Sequence, residues 1–319
     1  MINVAVIYTA GFEFNKGQEQ KLVQDFPGCR FTFKRDSEIS KSEVGEAEVI
    51  TGFPSQDCIK AASSLKWLHL SSIGVDKHIN RELYCNQDAV LTNSAGTYGK
   101  PISDHVLGLM LMLSRNLHYY RDQQSRNEWK KMDSTKDLFR STLCIVGLGD
   151  VGRTLAVKAR NLGMKVIGIK RTMIEKPEYL DELYTTDSLN DVIPRSDFVV
   201  LSLAATKETF HIMNEERLAL LRKDAYLINI GRGTLIDQDA LYRFLSEKRF
   251  AGAALDVTTP EPLPEDSPLW GLKNLIITPH VSGKSPSTNE RQFAVFYENL
   301  CRYVKNSELK NVIDFERMY

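Results

Sequence analysis

Leu143-Cys144-Ile145-Val146-Gly147-Leu148-Gly149-Asp150-Val151-Gly152 is an apolar run that breaks into three glycines spaced G-x-G-x-x-G. A helical pattern follows it. In a strand–turn–helix unit, such glycines have separate tasks. The first allows the tight turn, the second lets backbone approach a phosphate, and the third lets helix pack on strand. Asp150 and Val151 then open the helix, whose unpaired N–H groups and positive dipole end suit an anion. The stretch reads as the pyrophosphate seat of a dinucleotide.

Further strands are expected on either side of it. Downstream, apolar runs at residues 165–169, 197–203, 225–230, 251–257 and 275–278 bring the count to six, a full dinucleotide-binding sheet. Upstream, strand-like runs at 4–8, 47–51, 65–70 and 89–92 are separated by helix-length gaps, the mark of a parallel α/β unit. Pro101 opens a long helix, with Ile102, Val106, Leu109, Leu113 and Leu117 as its apolar stripe. The polar stretch 121–136, with Trp129 in it, reads as an exposed connection. The last helix, 287–305, shows a capping box at Ser287 and Glu290 and a stripe of Phe293, Phe296, Leu300 and Val304. No strand follows, so this helix is expected to return to the first domain. The fold class is α/β: two doubly wound parallel-sheet domains, with a Rossmann cofactor domain at 98–283 inserted into a substrate domain made of 1–97 and 284–319.

The chain of 319 residues has room for two cores. Its 42% hydrophobic and 26% charged residues are those of a globular protein. Lys+Arg and Asp+Glu both number 41, so no basic excess exists to neutralise nucleic acid or an anionic membrane. Five scattered cysteines without a C-x-x-C pair indicate neither a disulfide framework nor a zinc site, and reduced thiols fit the cytoplasm. Residues 1–10 are apolar but short and lack a basic leader, so they read as a first strand. The longest apolar run, 106–113, is too short to span a bilayer.

Four further stretches carry chemistry. An NAD-binding strand usually ends in Asp or Glu about 20 residues past the glycines, where the acid bonds the ribose 2′-hydroxyl. Here Lys170-Arg171-Thr172 stands eighteen residues after Gly152, with no acid. That pair matches a 2′-phosphate and favours NADP(H) over NAD(H); otherwise it is two solvated charges. Asn229-Ile230-Gly231-Arg232-Gly233 places a guanidinium just past a strand end, suited to clamp a carboxylate and polarise a carbonyl. A pairing of Arg232 with a helix terminus or an acid is the alternative. Leu255-Asp256-Val257 leads to Glu261 between Pro260 and Pro262, and Thr278-Pro279 leads to His280. A carboxylate against that imidazole sets its tautomer and makes it a proton donor; a lone structural His is the alternative.

Taken together, these stretches resemble the D-isomer-specific 2-hydroxyacid dehydrogenase family, glyoxylate/hydroxypyruvate reductases of the NADP type in particular. The resemblance extends to Ser71-Ser72-Ile73-Gly74-Val75-Asp76, Thr92-Asn93-Ser94-Ala95-Gly96-Thr97-Tyr98, Pro101-Ile102-Ser103-Asp104-His105, residues 201–209, and Leu269-Trp270. It implies a flavodoxin-like substrate domain around the inserted Rossmann domain. By the resemblance, Arg232 is the substrate-binding Arg, His280 the acid/base and Glu261 its partner. The backbone N–H groups of Ile73, Gly74 and Val75 hold the substrate carboxylate, and Phe53 and Tyr98 wall the pocket. Asp256 bonds the nicotinamide carboxamide. Leu203, Ala204, Thr209, Ile230 and Gly231 line the inner half of the cofactor. Ala204 stands where the family usually has Pro, and Ser103-Asp104 where it has Ala-Glu.

The implied activity is reversible, NAD(P)H-dependent reduction of a 2-oxo acid to the D-2-hydroxy acid, with no metal. A nucleotide-sensing corepressor or an inactive scaffold of the same fold is the alternative. The implied partners are a small 2-oxo or 2-hydroxy acid and a second copy of the chain, docked through the cofactor domain near Tyr119, Tyr120 and Trp129.

Overall fold

Buried four-residue runs make most of the strands in the computed structural model, which describes residues 1–9 and 11–317. Ala10, Met318 and Tyr319 lie outside the described residues, and with them one end of each expected terminal segment. The chain divides into two compact units, Met1–Thr97 with Ser285–Tyr319, and Tyr98–Lys284. Lys284 thus falls with the second unit, one residue beyond the expected boundary.

The first unit has five parallel strands: β1 (Ile2–Tyr8), β2 (Cys29–Arg35), β3 (Val49–Gly52), β4 (Trp67–Leu70) and β5 (Val90–Thr92). Their order, β2-β1-β3-β4-β5, is the flavodoxin-like doubly wound order. Alternate residues of β1 feed opposite cores. Ala5 and Ile7 pack with Ile50, Leu68 and Leu70, while Val4 and Val6 pack with Trp67. The terminal helix Thr288–Val304 covers the second face with Phe293, Phe296 and Leu300. Phe296 stacks on Trp67 at 5.7 Å. Beyond it, Ile313 N–H donates to Leu91 O (2.8 Å) and Val312 bridges Thr92, so the edge of β5 is covered.

The second unit has seven parallel strands: β6 (Thr142–Val146), β7 (Lys165–Lys170), β8 (Glu182–Thr185), β9 (Phe198–Leu201), β10 (Tyr226–Asn229), β11 (Gly252–Leu255) and β12 (Leu275–Ile277). The order β12-β11-β10-β9-β6-β7-β8 is that of a dinucleotide-binding sheet with one added strand. Leu143 and Ile145 face one core, Cys144 and Val146 the other. Burial on both faces explains why these strands read as continuous apolar runs. The helix Gly99–Ser114 packs Val106, Leu109, Met110 and Leu113 with Leu155, Ala156 and Ala159 of the helix Asp150–Asn161.

Four expectations are corrected. β2 and β8 are additional strands, both at sheet edges and only partly buried, so they lack the apolar run that marks the others. Residues 121–125, expected as connection, belong to a helix, Leu117–Ser125. Ser287 caps no backbone N–H; its hydroxyl instead accepts from Arg291 Nη1 (2.5 Å). Lys170 is the last residue of β7, paired with Thr185, rather than the first of the loop.

Candidate functional site

The carboxyl ends of six strands of the second unit stand in one register. Ile169, Val146, Leu201, Asn229, Leu255 and Ile277 are successive partners across the sheet. At about 4.8 Å per strand, the row is roughly 24 Å long. Every candidate residue of this unit that the resemblance singles out, Tyr98 excepted, leaves from that row: Gly147–Gly152, Lys170–Thr172, Leu203–Thr209, Ile230–Arg232, Asp256, Glu261 and His280.

The glycine turn shows which glycines the fold itself needs. Gly147 has φ +104, and a Cβ on it would lie 2.4 Å from Ser202 O. A Cβ on Gly152 would lie 2.0 Å from Gly147 O. Both are dictated by the packing of helix and strand. Gly149 is different: its φ is −76, and a Cβ there meets nothing within 4 Å. Neither strain nor packing calls for glycine, so the open space in front of it is what the residue preserves. Gly149 is also the N-cap of the helix Asp150–Asn161 and offers no side chain to it. Among the described residues, the N–H groups of Gly149, Asp150 and Val151 have no hydrogen-bond partner. An uncapped helix start facing open space fits the pyrophosphate of a dinucleotide. The Asp150 carboxylate is turned elsewhere: it accepts Gly99 N–H (2.7 Å) and so caps the neighbouring helix. Only the backbone of Asp150 is left for an anion.

At the end of β7, Arg171 and Thr172 are exposed and Lys170 is half-buried. Glu208 lies near. The Thr206 hydroxyl, with further help from Arg171, holds its carboxyl below the usual range. The 203–209 loop is drawn together by Thr209, whose hydroxyl donates to Ala204 O (2.8 Å) and accepts Thr206 N–H (2.8 Å). Ile230 N–H donates to Leu201 O (3.2 Å), which ties the start of the next loop to β9.

The glycines flanking Arg232 are set by close backbone approach. A Cβ on Gly231 would lie 2.6 Å from Leu203 O, and one on Gly233 2.1 Å from Thr258 O. Arg232 is held between them in extended conformation. Its carbonyl accepts from Asn229 Nδ2 (2.8 Å), and its Nη1 donates to Gly231 O (2.7 Å). Glu261 and His280, nineteen residues apart, do meet: His280 Nδ1 and Glu261 Oε2 are 2.9 Å apart. Glu261 Oε1 accepts Thr258 N–H (3.1 Å), which orients the carboxylate. Both side chains are part-exposed, at 52% for His280 and 38% for Glu261. With Nδ1 bound to the carboxylate, Nε2 is the nitrogen left to exchange a proton.

The Asp256 carboxylate, expected to bond a nicotinamide carboxamide, has partners within the chain. The side chain is 0% exposed. Oδ1 accepts Thr278 Oγ1–H (2.6 Å) and Val281 N–H (3.0 Å), and Oδ2 accepts Ser282 N–H (3.1 Å). The carboxylate is therefore turned to the chain's own loop rather than outward. Tyr98 packs in the same unit, where a Cβ on Gly283 would lie 2.9 Å from its ring.

In the first unit, the carbonyls of the loop after β4 are bonded within the chain. Ser72 Oγ donates to Gly74 O (2.7 Å), Asn93 Nδ2 to Ile73 O (2.8 Å), and His78 N–H to Val75 O (2.7 Å). The three carbonyls are thus satisfied. The N–H groups of Ile73, Gly74 and Val75 have no partner among the described residues. Such a run of N–H groups suits an anion. Phe53 sits edge-on to His78 at 5.0 Å, and His78 Nε2 is 2.9 Å from Pro54 O.

Among the described residues, no cluster of His, Cys, Asp and Glu is placed to hold a metal ion, and no helix is long and apolar enough to cross a membrane.

Residues 107–282 match the family model described as D-isomer specific 2-hydroxyacid dehydrogenase, NAD binding domain. The chain is 30% identical over 295 residues to D-3-phosphoglycerate dehydrogenase of Methanocaldococcus jannaschii, which covers 85% of this chain. It spans 56% of that relative's length. It is 34% identical over 262 residues to glyoxylate reductase of Thermococcus kodakarensis, covering 78% of this chain and 76% of the relative. Among solved structures, it resembles a D-isomer specific 2-hydroxyacid dehydrogenase from Xanthobacter autotrophicus Py2 in complex with NADPH and MES. The TM-score is 0.85 and the identity 26%, with all of both chains covered.

Proposed function

The chain belongs to the D-isomer specific 2-hydroxyacid dehydrogenase family, and on that premise we propose that it reversibly reduces a small 2-oxo acid to the D-2-hydroxy acid with NADP(H). The observation that carries this reading is the 2.9 Å pair of His280 Nδ1 and Glu261 Oε2 at the carboxyl edge of the second sheet.

The Gly147–Gly152 turn would hold the dinucleotide, with the N–H groups of Gly149, Asp150 and Val151 available to its pyrophosphate. The 203–209 loop, Ile230 and Gly231 border its inner half. When bound, its nicotinamide supplies a hydride to C2 of the oxo acid. Protonated His280 gives its Nε2 proton to the carbonyl oxygen, and hydride plus proton complete the hydroxy acid. Glu261 keeps the imidazole oriented and stabilises its cation between turnovers. Arg232 donates to the carbonyl oxygen, where negative charge grows as hydride arrives. A carboxylate, which every 2-oxo acid carries, suits the N–H groups of Ile73, Gly74 and Val75. Phe53 and Tyr98 are each proposed as substrate-contacting residues; glyoxylate and hydroxypyruvate are the small candidates, and bulkier 2-oxo acids are equally compatible with the motifs.

The preference for NADP(H) rests on Lys170 and Arg171 in place of an acid at the end of β7. Assembly as a homodimer through the second unit is part of the same reading, supported by Trp129, which is 98% exposed. Light scattering tests it, and a monomer refutes it.

An absorbance assay with a panel of 2-oxo acids, run with NADPH and NADH in parallel, tests the function. Turnover of a small 2-oxo acid with a higher kcat/KM for NADPH is expected. No turnover with any of them overturns the enzymatic reading in favour of a nucleotide-sensing scaffold. A higher kcat/KM for NADH overturns the cofactor preference alone.

A further inference from the structure

His280 has φ +49, a backbone conformation that side chains rarely adopt. Such a residue stays there only when its surroundings over-determine it. Here the determinant is Asp256. His280 N–H donates to the Asp256 carbonyl (2.9 Å), and the next two N–H groups, of Val281 and Ser282, donate to its carboxylate at 3.0 and 3.1 Å. The direction in which that carboxylate points therefore sets the loop that carries the imidazole.

A second imidazole stands behind it. Thr278 has one hydroxyl proton, and it goes to Asp256 Oδ1 at 2.6 Å. Thr278 Oγ1 is also 3.1 Å from His105 Nε2. With its proton already committed, that oxygen can only accept, so His105 Nε2 carries a proton and donates it. The same Nε2 is 3.8 Å from Asp256 Oδ1. His105 comes from the helix Gly99–Ser114, between the apolar positions Ile102 and Val106, and its side chain is 23% exposed. The hydrogen bonds thus run in one direction, from His105 to Thr278 to Asp256. A buried carboxylate accepting from several fixed donors has one orientation available to it.

We propose that His105 is a positioning residue for the reaction, acting through Thr278 Oγ1 to hold the Asp256 carboxylate in the orientation that keeps His280 in place. The inference rests on the acid/base role proposed for His280. A neutral donor at Nε2 is sufficient for it.

Three variants of the full chain test the relay. His105→Leu removes the donor and keeps much of the volume. Thr278→Val removes the hydroxyl at nearly constant shape. His105→Gln keeps an N–H at a similar reach. The first readout is amide hydrogen exchange at Val281 and Ser282, followed by NMR, which needs neither cofactor nor turnover. The second is the separation of kcat from the KM for the dinucleotide. His105→Leu and Thr278→Val are expected to speed exchange at both amides by roughly tenfold, the weight of one hydrogen bond. They lower kcat by roughly 10- to 100-fold, as a misplaced catalytic group does, and leave the dinucleotide KM within about twofold. His105→Gln recovers most of both losses.

Unchanged exchange at Val281 and Ser282 in both deletions overturns the relay. So does a joint fall in Tm, kcat and dinucleotide affinity that Gln does not restore, since a packing residue behaves that way. If His105→Leu does not fold, Thr278→Val decides the matter. If the unaltered chain reduces no 2-oxo acid, the proposed reaction fails, while the exchange measurement still decides the relay.

Discussion

Gly149→Ala separates what the fold requires of the glycine turn from what a dinucleotide requires. The backbone at Gly149 is at φ −76 and ψ −158, extended and open to any residue, and the added methyl meets nothing within 4 Å. The fold should hardly notice it. Ala at an N-cap is poorer than Gly by a few tenths of a kcal/mol up to about 1, and a Gly→Ala change returns about 0.4–1 kcal/mol through the unfolded chain. For a unit of this size the net effect is a Tm shift within about 2 °C. The methyl does, however, fill the space onto which the Gly149, Asp150 and Val151 N–H groups open. Forcing a methylene-sized group into a close contact costs about 1–3 kcal/mol, which is roughly 5- to 150-fold in Kd. Gly152→Ala is the contrasting case. Its Cβ would lie 2.0 Å from Gly147 O, a backbone atom, so the helix must retreat by about 1 Å or more from the turn. Tm should then fall by about 2–10 °C together with dinucleotide affinity. The assay is a calorimetric titration of each variant with NADPH and NADH, beside a thermal melt. Gly149→Ala with native Tm and undiminished NADPH affinity would refute the assignment of this turn to the pyrophosphate.

Other outcomes follow from the same structure. His280→Ala should cut turnover by roughly 10²–10⁴-fold, the range of general acid catalysis, while dinucleotide titrations stay near native; full activity in steady-state assays sinks the acid/base role. Arg171→Ser should erode the kcat/KM advantage of NADPH over NADH by roughly 10- to 100-fold, the worth of a charge-assisted contact to phosphate. An unchanged ratio removes Arg171 from the recognition of the 2′-phosphate. In the first unit, burial holds the His69 imidazole down at about 3, against 6.5 for a free one. Below about 6.5 the unfolded chain takes up a proton that the folded unit refuses, so stability falls as pH drops through the window from 6.5 to 3, by up to about 1.4 kcal/mol per pH unit. Denaturant melts between pH 7 and 5 should show this slope, and His69→Gln should flatten it.

Much of the fold was legible because parallel strands are buried on both faces and read as short apolar runs. β2 and β8 escaped that reading because both are edge strands with part-exposed side chains, as in Cys29–Arg35, where charge and aromatics mingle. Single-residue chemistry was legible where the chain imposes it locally. Gly147 needs a positive φ, Gly152 needs the room of a missing Cβ, and the absence of an acid after β7 is visible without any coordinates. Ser287 shows the limit of local reasoning. It has a capping partner at the right spacing in Glu290, yet Arg291 takes its hydroxyl.

What the sequence determined by itself was therefore the turn between β6 and the helix Asp150–Asn161, and with it the class of ligand, since backbone angles and steric room are properties of a few adjacent residues. The tertiary structure alone decided which side chains cooperate. Strands in one register brought Glu261 and His280, nineteen residues apart, to 2.9 Å. They turned Asp256 inward to the His280 loop and set His105, 151 positions before Asp256 in the chain, behind Thr278. Hydrogen bonds act over about 3 Å, and separation along the chain carries no information at that scale until the sheet has formed.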